Sequence, residues 1–151
     1  MHNFSGNQLR KGRFSATGNI YRLTTVTHQR TELFTDWRVG RLVVQQFRCA
    51  QQRGLVQSLA WVVMPDHFHW LVSLEHGSLS DLVSRVKSRS SHSITKPSGQ
   101  AGPVWQRGYH DRALRRDEDL QAAARYVVAN PLRAGLADRL GDYPLWDAVW
   151  L

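Results

Sequence analysis

The 151-residue chain holds a single cysteine, Cys49. No disulfide can close within it, and no cysteine-based zinc site can form. Cys49 reads as a small apolar residue on a helix. Lysine is also scarce, with only Lys11, Lys87 and Lys96, so most of the 20 basic residues are arginine. Acid is short too: 12 Asp and Glu leave a net charge of +8. No run of 18 apolar residues occurs, which excludes a membrane-spanning helix. The first eighteen residues lack the apolar centre of a secretory signal. The cytoplasm is therefore the expected compartment. No internal repeat at a solenoid period is visible.

What is present fits one folded domain. The chain is 42% hydrophobic, too apolar for a disordered protein, and long enough for one core. An arginine-dominated excess makes nucleic acid the first partner to consider, because the guanidinium fork matches phosphate.

Residues 1–18 are polar and basic and read as a flexible arm carrying Arg10, Lys11 and Arg13. Residues 19–151 read as the domain. Asn19–Thr27 alternates and is rich in β-branched and aromatic types, as a strand should be. Thr35-Asp36 caps a helix expected over Trp37–Gln52, with Gly54 as its stop. Two strands follow, Leu55–Met64 and Phe68–Leu74, joined tightly at Pro65-Asp66. A second helix is expected from Ser80-Asp81 over about Leu82–Thr95, with Arg85, Lys87, Arg89 and His92 on its polar side.

Lys96–Pro103 is a turn-rich loop. Val104–Leu114 reads as a fourth strand broken at Gly108, ending at Arg115-Arg116. Asp117-Glu118-Asp119 opens a third helix that runs to about Ala129 or Asn130. Pro131 either stops it or kinks it. Tyr143, Trp146 and Trp150 of the tail are expected to pack back on the body. The resulting order is α+β: a ferredoxin-like, RRM-like βαββαβ antiparallel sheet with helices on one face, then a C-terminal helix and tail.

Two constellations carry chemistry. In His67-Phe68-His69 the imidazoles share one strand face, about 6 to 7 Å apart along the backbone. Such a pair can bind one divalent metal, or merely decorate a sheet. Tyr126 and Asn130 lie four residues apart and share a helix face. Two imidazoles and an amide oxygen suit a divalent ion with open positions for a scissile phosphate. Tyr126 would then attack phosphorus. Its phenol, ordinarily near pKa 10, would need help from the metal and nearby arginine. The bland alternatives are a half-buried helix aromatic and a plain helix-end asparagine. Tyr109 is the rival nucleophile. The arm residues, Arg85, Lys87 and Arg89, and Arg107, Arg112, Arg115 and Arg116 are candidate DNA contacts.

The blocks WVVMPDHFHWLV (Trp61–Val72), VWQRGYHDRALRRDEDL (Val104–Leu120) and YVVANPLRAGL (Tyr126–Leu136) resemble the REP-associated tyrosine transposases, a group of the single-tyrosine HUH transposase superfamily. The strand Ile20–Arg30 and the segment DYPLW (Asp142–Trp146) share the likeness, which covers about residues 18–147. The resemblance implies His67, His69 and Asn130 as metal ligands and Tyr126 as nucleophile, with Val127 where the family pattern has isoleucine. It implies Mg²⁺ or Mn²⁺, and cleavage and rejoining of single-stranded DNA beside a hairpin at repetitive extragenic palindromes. A 5′-phosphotyrosine intermediate and a free 3′-OH follow from it, as does a self-contained monomer at nucleoid DNA, with a dimer as the alternative. Two other readings stay open. One is a module that binds single strands or hairpins without chemistry. The other is metal-dependent hydrolysis with water as nucleophile.

Overall fold

A computed structural model describes residues 18–99, 102–115 and 119–149. Residues 1–17 of the expected arm, Arg116, the Asp117-Glu118 pair expected to open the third helix, and Trp150 lie outside the described residues. Strand β1 (Ile20–Val26) is followed by helix α1 (Trp37–Gln52), strands β2 (Val56–Met64) and β3 (His67–Leu74), and helix α2 (Leu79–Thr95). Then come β4 (His110–Ala113), α3 (Leu120–Val128), the single helical turn α4 (Asn130–Arg133) and β5 (Trp146–Ala148). The strands form one antiparallel sheet in the order β4-β1-β3-β2-β5. The first four have the order that a βαββαβ chain produces when both hairpin and crossovers pack helices on one face.

The pleat divides the core in two. Tyr21 and Leu23 of β1, Trp61 and Val63 of β2, and Phe68, Trp70 and Val72 of β3 meet the apolar faces of α1 and α2. Phe47 of α1 stacks on Trp70 at 4.3 Å between ring centroids and meets Phe68 edge-on at 5.0 Å. Each such fully buried ring contributes roughly 1.5–3 kcal/mol relative to exposure. The alternate residues Ala60, Val62, Met64 and Leu71 face the other way, and Ala124, Val127 and Val128 of α3 cover them. Helix α3 is only nine residues long. A helix so short is marginal in water, so packing on the sheet holds it. Its start is secured by Asp119, whose carboxylate accepts from the Gln121 and Ala122 amides.

Three expectations need correction or refinement. The fourth strand is His110–Ala113 alone, not Val104–Leu114. Trp105 makes an isolated bridge to Thr27, and Gly108 then takes φ 76°, which turns the chain out of strand geometry. Lys87 donates to the Gln106 and Gly108 carbonyls and holds this bend against α2. The second helix begins one turn earlier than expected, because Ser78 rather than Ser80 is the cap, accepting from the Asp81 amide. The third helix breaks at Ala129, and Pro131 sits inside a further helical turn.

The tail adds an unforeseen fifth strand on β2. Leu145 is buried in the core, and the Tyr143 hydroxyl donates to the Val63 carbonyl at 2.6 Å. Burial pushes the Tyr143 phenol up to about 12. The expected packing of Tyr143 and Trp146 on the body is observed.

Candidate active site

Both histidines lie on the α3 side of the sheet. Phe68 between them and Trp70 beyond are each 1% exposed in the α1–α2 core, so the pleat turns His67 and His69 the other way. Their rings meet edge-on with centroids 4.9 Å apart. Each has its Nδ1 occupied. His67 Nδ1 lies 2.6 Å from Asp66 Oδ1, and His69 Nδ1 lies 2.7 Å from Thr24 Oγ1. A neutral imidazole that donates through Nδ1 keeps its Nε2 lone pair for a metal.

Asp66 is fixed in turn by Arg30, which donates to Oδ2 at 2.9 Å. Burial alone would raise the Asp66 carboxyl. The hydrogen bonds from His67 and Arg30 outweigh it, and the net shift is downward. Arg30 reaches this carboxylate from a turn in which Gln29 and Arg30 both have positive φ, 55° and 53°. Non-glycine residues rarely adopt that region. His69 is driven down to about 3, first by burial and then by the charges of His67, Arg22 and Arg133. It is therefore a neutral imidazole at ordinary pH, the form that a metal ligand requires.

The helix break shapes the second constellation. Pro131 has no N–H to give the Val127 carbonyl. The Val127 carbonyl accepts a backbone N–H at the helix cap, and Asn130 Nδ2 also donates to it at 2.8 Å. That use of the amide nitrogen leaves Oδ1 as the free end. The Tyr126 carbonyl is satisfied by Arg133, at 2.7 Å. The Tyr126 ring stands 54% exposed. Two guanidiniums sit by it, with Cζ of Arg133 4.0 Å and Cζ of Arg22 5.4 Å from the centroid. Arg22 belongs to β1, and its charge is felt at His69, so the phenol and the imidazole pair share one neighbourhood.

Among the described residues, no group of three or more His, Cys, Asp or Glu side chains is placed to hold a metal. Beside the two imidazoles, an oxygen donor of another type stands in the same part of the fold. The Asn130 amide oxygen is of that kind, and an imidazole–imidazole–amide set suits a divalent ion that keeps open positions.

The rival Tyr109 is differently placed. It packs against the α1–α2 core, and its hydroxyl lies 3.2 Å from Ser80 Oγ. Several candidate DNA contacts are also remote from the histidines. Arg85 and Lys87 are on α2, across the sheet. Arg85 points to Cys49 Sγ at 3.8 Å, and Lys87 binds backbone carbonyls. The Cys49 thiol is lowered, with the Arg85 hydrogen bond as the largest cause, and burial opposing it. Arg89, Arg107 and Arg115 are exposed. Arg112 alone of these is paired by register with a residue of the histidine face, Arg22. Sequence reasoning passed over Arg22 and Arg133. The alternation of β1 put Arg22 on the face opposite Tyr21 and Leu23, but nothing local linked that face to Tyr126.

The family described as "Transposase IS200 like" matches residues 15–130, a span that contains both histidines, Tyr126 and Asn130. The chain belongs to the IS200-like transposase family. It is thus an enzyme that acts on DNA, of a family generally dependent on divalent metal. A Haemophilus influenzae protein named as a REP-associated tyrosine transposase is 24% identical over 143 residues, covering 84% of this chain and 78% of that one. The Escherichia coli K12 REP-associated tyrosine transposase is 28% identical over 88 residues, 56% of this chain and 50% of that one. A REP-associated tyrosine transposase solved bound to a REP hairpin superposes with a TM-score of 0.72 at 21% identity, over 97% of this chain and 82% of that one. A transposase from Deinococcus radiodurans gives 0.53 at 24% identity, over 80% and 95%. These likenesses extend the IS200-like fold over the tail that follows Asn130. Among the described residues of this transposase, no helix is long and apolar enough to cross a membrane.

Proposed function

We propose that this IS200-like transposase cuts and rejoins single-stranded DNA beside palindromic hairpins of the REP type, with Tyr126 as nucleophile. The observation that carries the reading is the assembly of the set within one chain. Two imidazoles with engaged Nδ1 atoms and an exposed phenol flanked by arginine lie on one side of the sheet. His67, His69 and Asn130 would hold the ion, Mg²⁺ or Mn²⁺. Bound there, it supplies Lewis-acid polarisation of the scissile phosphate.

The chain's own residues do the rest. Asp66 and Thr24 fix the rings of His67 and His69. Asn130 is clamped by the Val127 carbonyl. Arg22 and Arg133 place positive charge at the phenol. The Tyr126 oxygen loses its proton and forms a bond to phosphorus, and the P–O3′ bond breaks. The departing 3′ oxygen takes up a proton, and the 5′ phosphate stays on Tyr126. Attack by a 3′-OH on that phosphotyrosine reverses the step and rejoins the strand. A single chain holds every residue named, which favours a monomer working in cis on nucleoid DNA in the cytoplasm. The likeness to REP-associated relatives, one of them solved with a REP hairpin, supports the choice of substrate.

A covalent-adduct assay tests the reading. The protein is incubated with labelled single-stranded hairpin DNA copied from the flanks of its own gene, plus Mn²⁺ or Mg²⁺, and resolved on a denaturing gel. A shifted protein–DNA band is expected, lost in Tyr126→Phe and kept in Tyr109→Phe. Loss only in Tyr109→Phe would move the nucleophile to the other face. Cleavage without adduct would point to water, and binding without cleavage to a recognition module.

A further inference from the structure

We propose that the outward face of α1 is a second DNA-binding surface, on which Trp37 stacks against an unpaired base of the substrate strand. The inference deepens the reading of the chain as an enzyme acting on single-stranded DNA, and it rests on that reading. Its first support is composition. The sixteen residues of α1 include no Asp or Glu, while Arg38, Arg41 and Arg48 are all exposed. Surface helices ordinarily mix both signs, because opposite charges one turn apart stabilise a helix and like charges do not. Among the described residues, none of these three arginines is in an ion pair. Of the two acids just before the helix, Asp36 is engaged as its cap, accepting from the Arg38 amide. Trp37 and Arg41 are four residues apart and share a face, and Arg48 falls on the same stripe two turns on.

The second support is the indole itself. Trp61, Trp70 and Trp105 are at most 7% exposed, whereas Trp37 is 51% exposed. The Arg38 guanidinium lies by its ring, with Cζ 5.6 Å from the centroid. An exposed aromatic face braced by a cation is a platform for a base. Stacking of this kind tolerates any sequence, because every base has a π face. A duplex hides those faces between its own pairs, so the occupant is an unpaired part of the strand. The arginines along the stripe match its phosphates in charge.

The third support is where α1 begins. The Thr27 amide and hydroxyl both donate to the Asp66 carbonyl, and the Phe34 amide donates to the Pro65 carbonyl at 3.0 Å. The loop between β1 and α1 is thereby laced to the turn that leads directly into His67. Trp37 lies three residues past Phe34, which keeps their Cα atoms within about 11 Å of each other. Side chains on a helix tilt toward its N-terminus, so the indole leans to this end of the sheet. A strand held at the histidines rounds the Pro65-Asp66 turn to reach Trp37. Arg41, about 6 Å further along the helix, then meets its backbone. Arg48 lines a cleft together with Asp147 of β5, so Arg41 serves as the probe of charge.

Binding is measured in Tyr126→Phe protein, so that no chemistry intervenes. The probe is the labelled hairpin oligonucleotide with its single-stranded arms, and one base at a time is removed to leave an abasic site. Trp37→Ala should weaken binding roughly tenfold. Trp37→Phe, which keeps an aromatic face, should retain most of the affinity. One abasic position in an arm should cost the parent the same factor and cost Trp37→Ala nothing further. Arg41→Gln should lower the log–log salt slope by about 0.7, the share of one phosphate on a single strand, whereas Trp37→Ala should leave the slope unchanged. Unchanged affinity in Trp37→Ala, or abasic losses equal in both proteins at every position, would overturn the stacking site. The same Trp37→Ala loss on a bare hairpin without arms would overturn the choice of an unpaired base. Matching circular-dichroism melts of Trp37→Ala and the parent separate lost stacking from lost fold. Absence of binding by the parent would sink the single-strand reading together with this one. Failure of the nucleophile alone would show itself elsewhere, as adduct surviving in Tyr126→Phe, with the abasic comparison intact.

Discussion

The Asp66 carboxylate bridges Arg30 and His67, taking a guanidinium N–H at 2.9 Å on one oxygen and meeting imidazole Nδ1 at 2.6 Å with the other. The second oxygen fixes the tautomer that presents Nε2. The first fixes the carboxylate itself. Partners of this kind typically affect metal affinity by 10- to 100-fold. Asp66→Ala should therefore weaken Mn²⁺ binding by about that factor. Calorimetric titration of Mn²⁺ into the variant and the parent checks this, and equal affinities would remove Asp66 from the site.

Asn130 and Pro131 are coupled through the Val127 carbonyl. Pro131 withholds an N–H, and the Asn130 side chain donates to that carbonyl at 2.8 Å beside the backbone N–H of the helix cap. Pro131→Ala returns a backbone donor to that carbonyl and frees the amide to rotate. Thermal stability should change by no more than about 1 kcal/mol, the net worth of one hydrogen bond. Mn²⁺ affinity and adduct yield should both fall. If the variant binds metal and forms adduct as the parent does, the clamp is irrelevant to the site.

Thr25 is fully buried on the α1–α2 side, and its hydroxyl oxygen has no hydrogen-bond partner among the described residues. An orphaned buried hydroxyl costs roughly 1–3 kcal/mol. Valine has nearly the same shape without the polar atom. Thr25→Val should raise the melting temperature by several degrees, read by circular dichroism. A lower melting temperature would mean that the hydroxyl is satisfied in solution.

Gly40 sits inside α1, where glycine is about 1 kcal/mol worse than alanine. The tail explains it. A Cβ at position 40 would collide with Cδ1 of Leu145, itself buried in the core. Gly40→Val should destabilise the fold by about 1–3 kcal/mol through overpacking. Combining it with Leu145→Ala should recover part of that loss. Additive losses in denaturant unfolding would show that the two positions do not touch.

Much of this architecture was written in local patterns. The alternation of β1, the helical spacing of Val39, Val43 and Phe47, and the Thr35-Asp36 cap each depend on neighbours a few residues away. So does the shared face of His67 and His69, which follows from the two-residue period of any strand. The same holds for Tyr126 and Asn130, one helical turn apart. These features were legible from the chain alone.

Tertiary structure decided what depends on register and on which layer lies over which face. Helix α3 packs on the histidine side of the sheet because Ala124, Val127 and Val128 fit over Ala60, Val62 and Leu71, a match no local period reveals. The three-residue β5 forms because β2 offers it an open edge. Lys87, read as a polar-face cation, is drawn to the carbonyls of a bend nineteen and twenty-one residues away. Arg22 and Arg133 meet at the Tyr126 ring from separate elements, and only the placement of α3 and α4 over β1 unites them. Composition and periodicity act along the chain, whereas the charge gathered around Tyr126 is set by contacts between its distant parts.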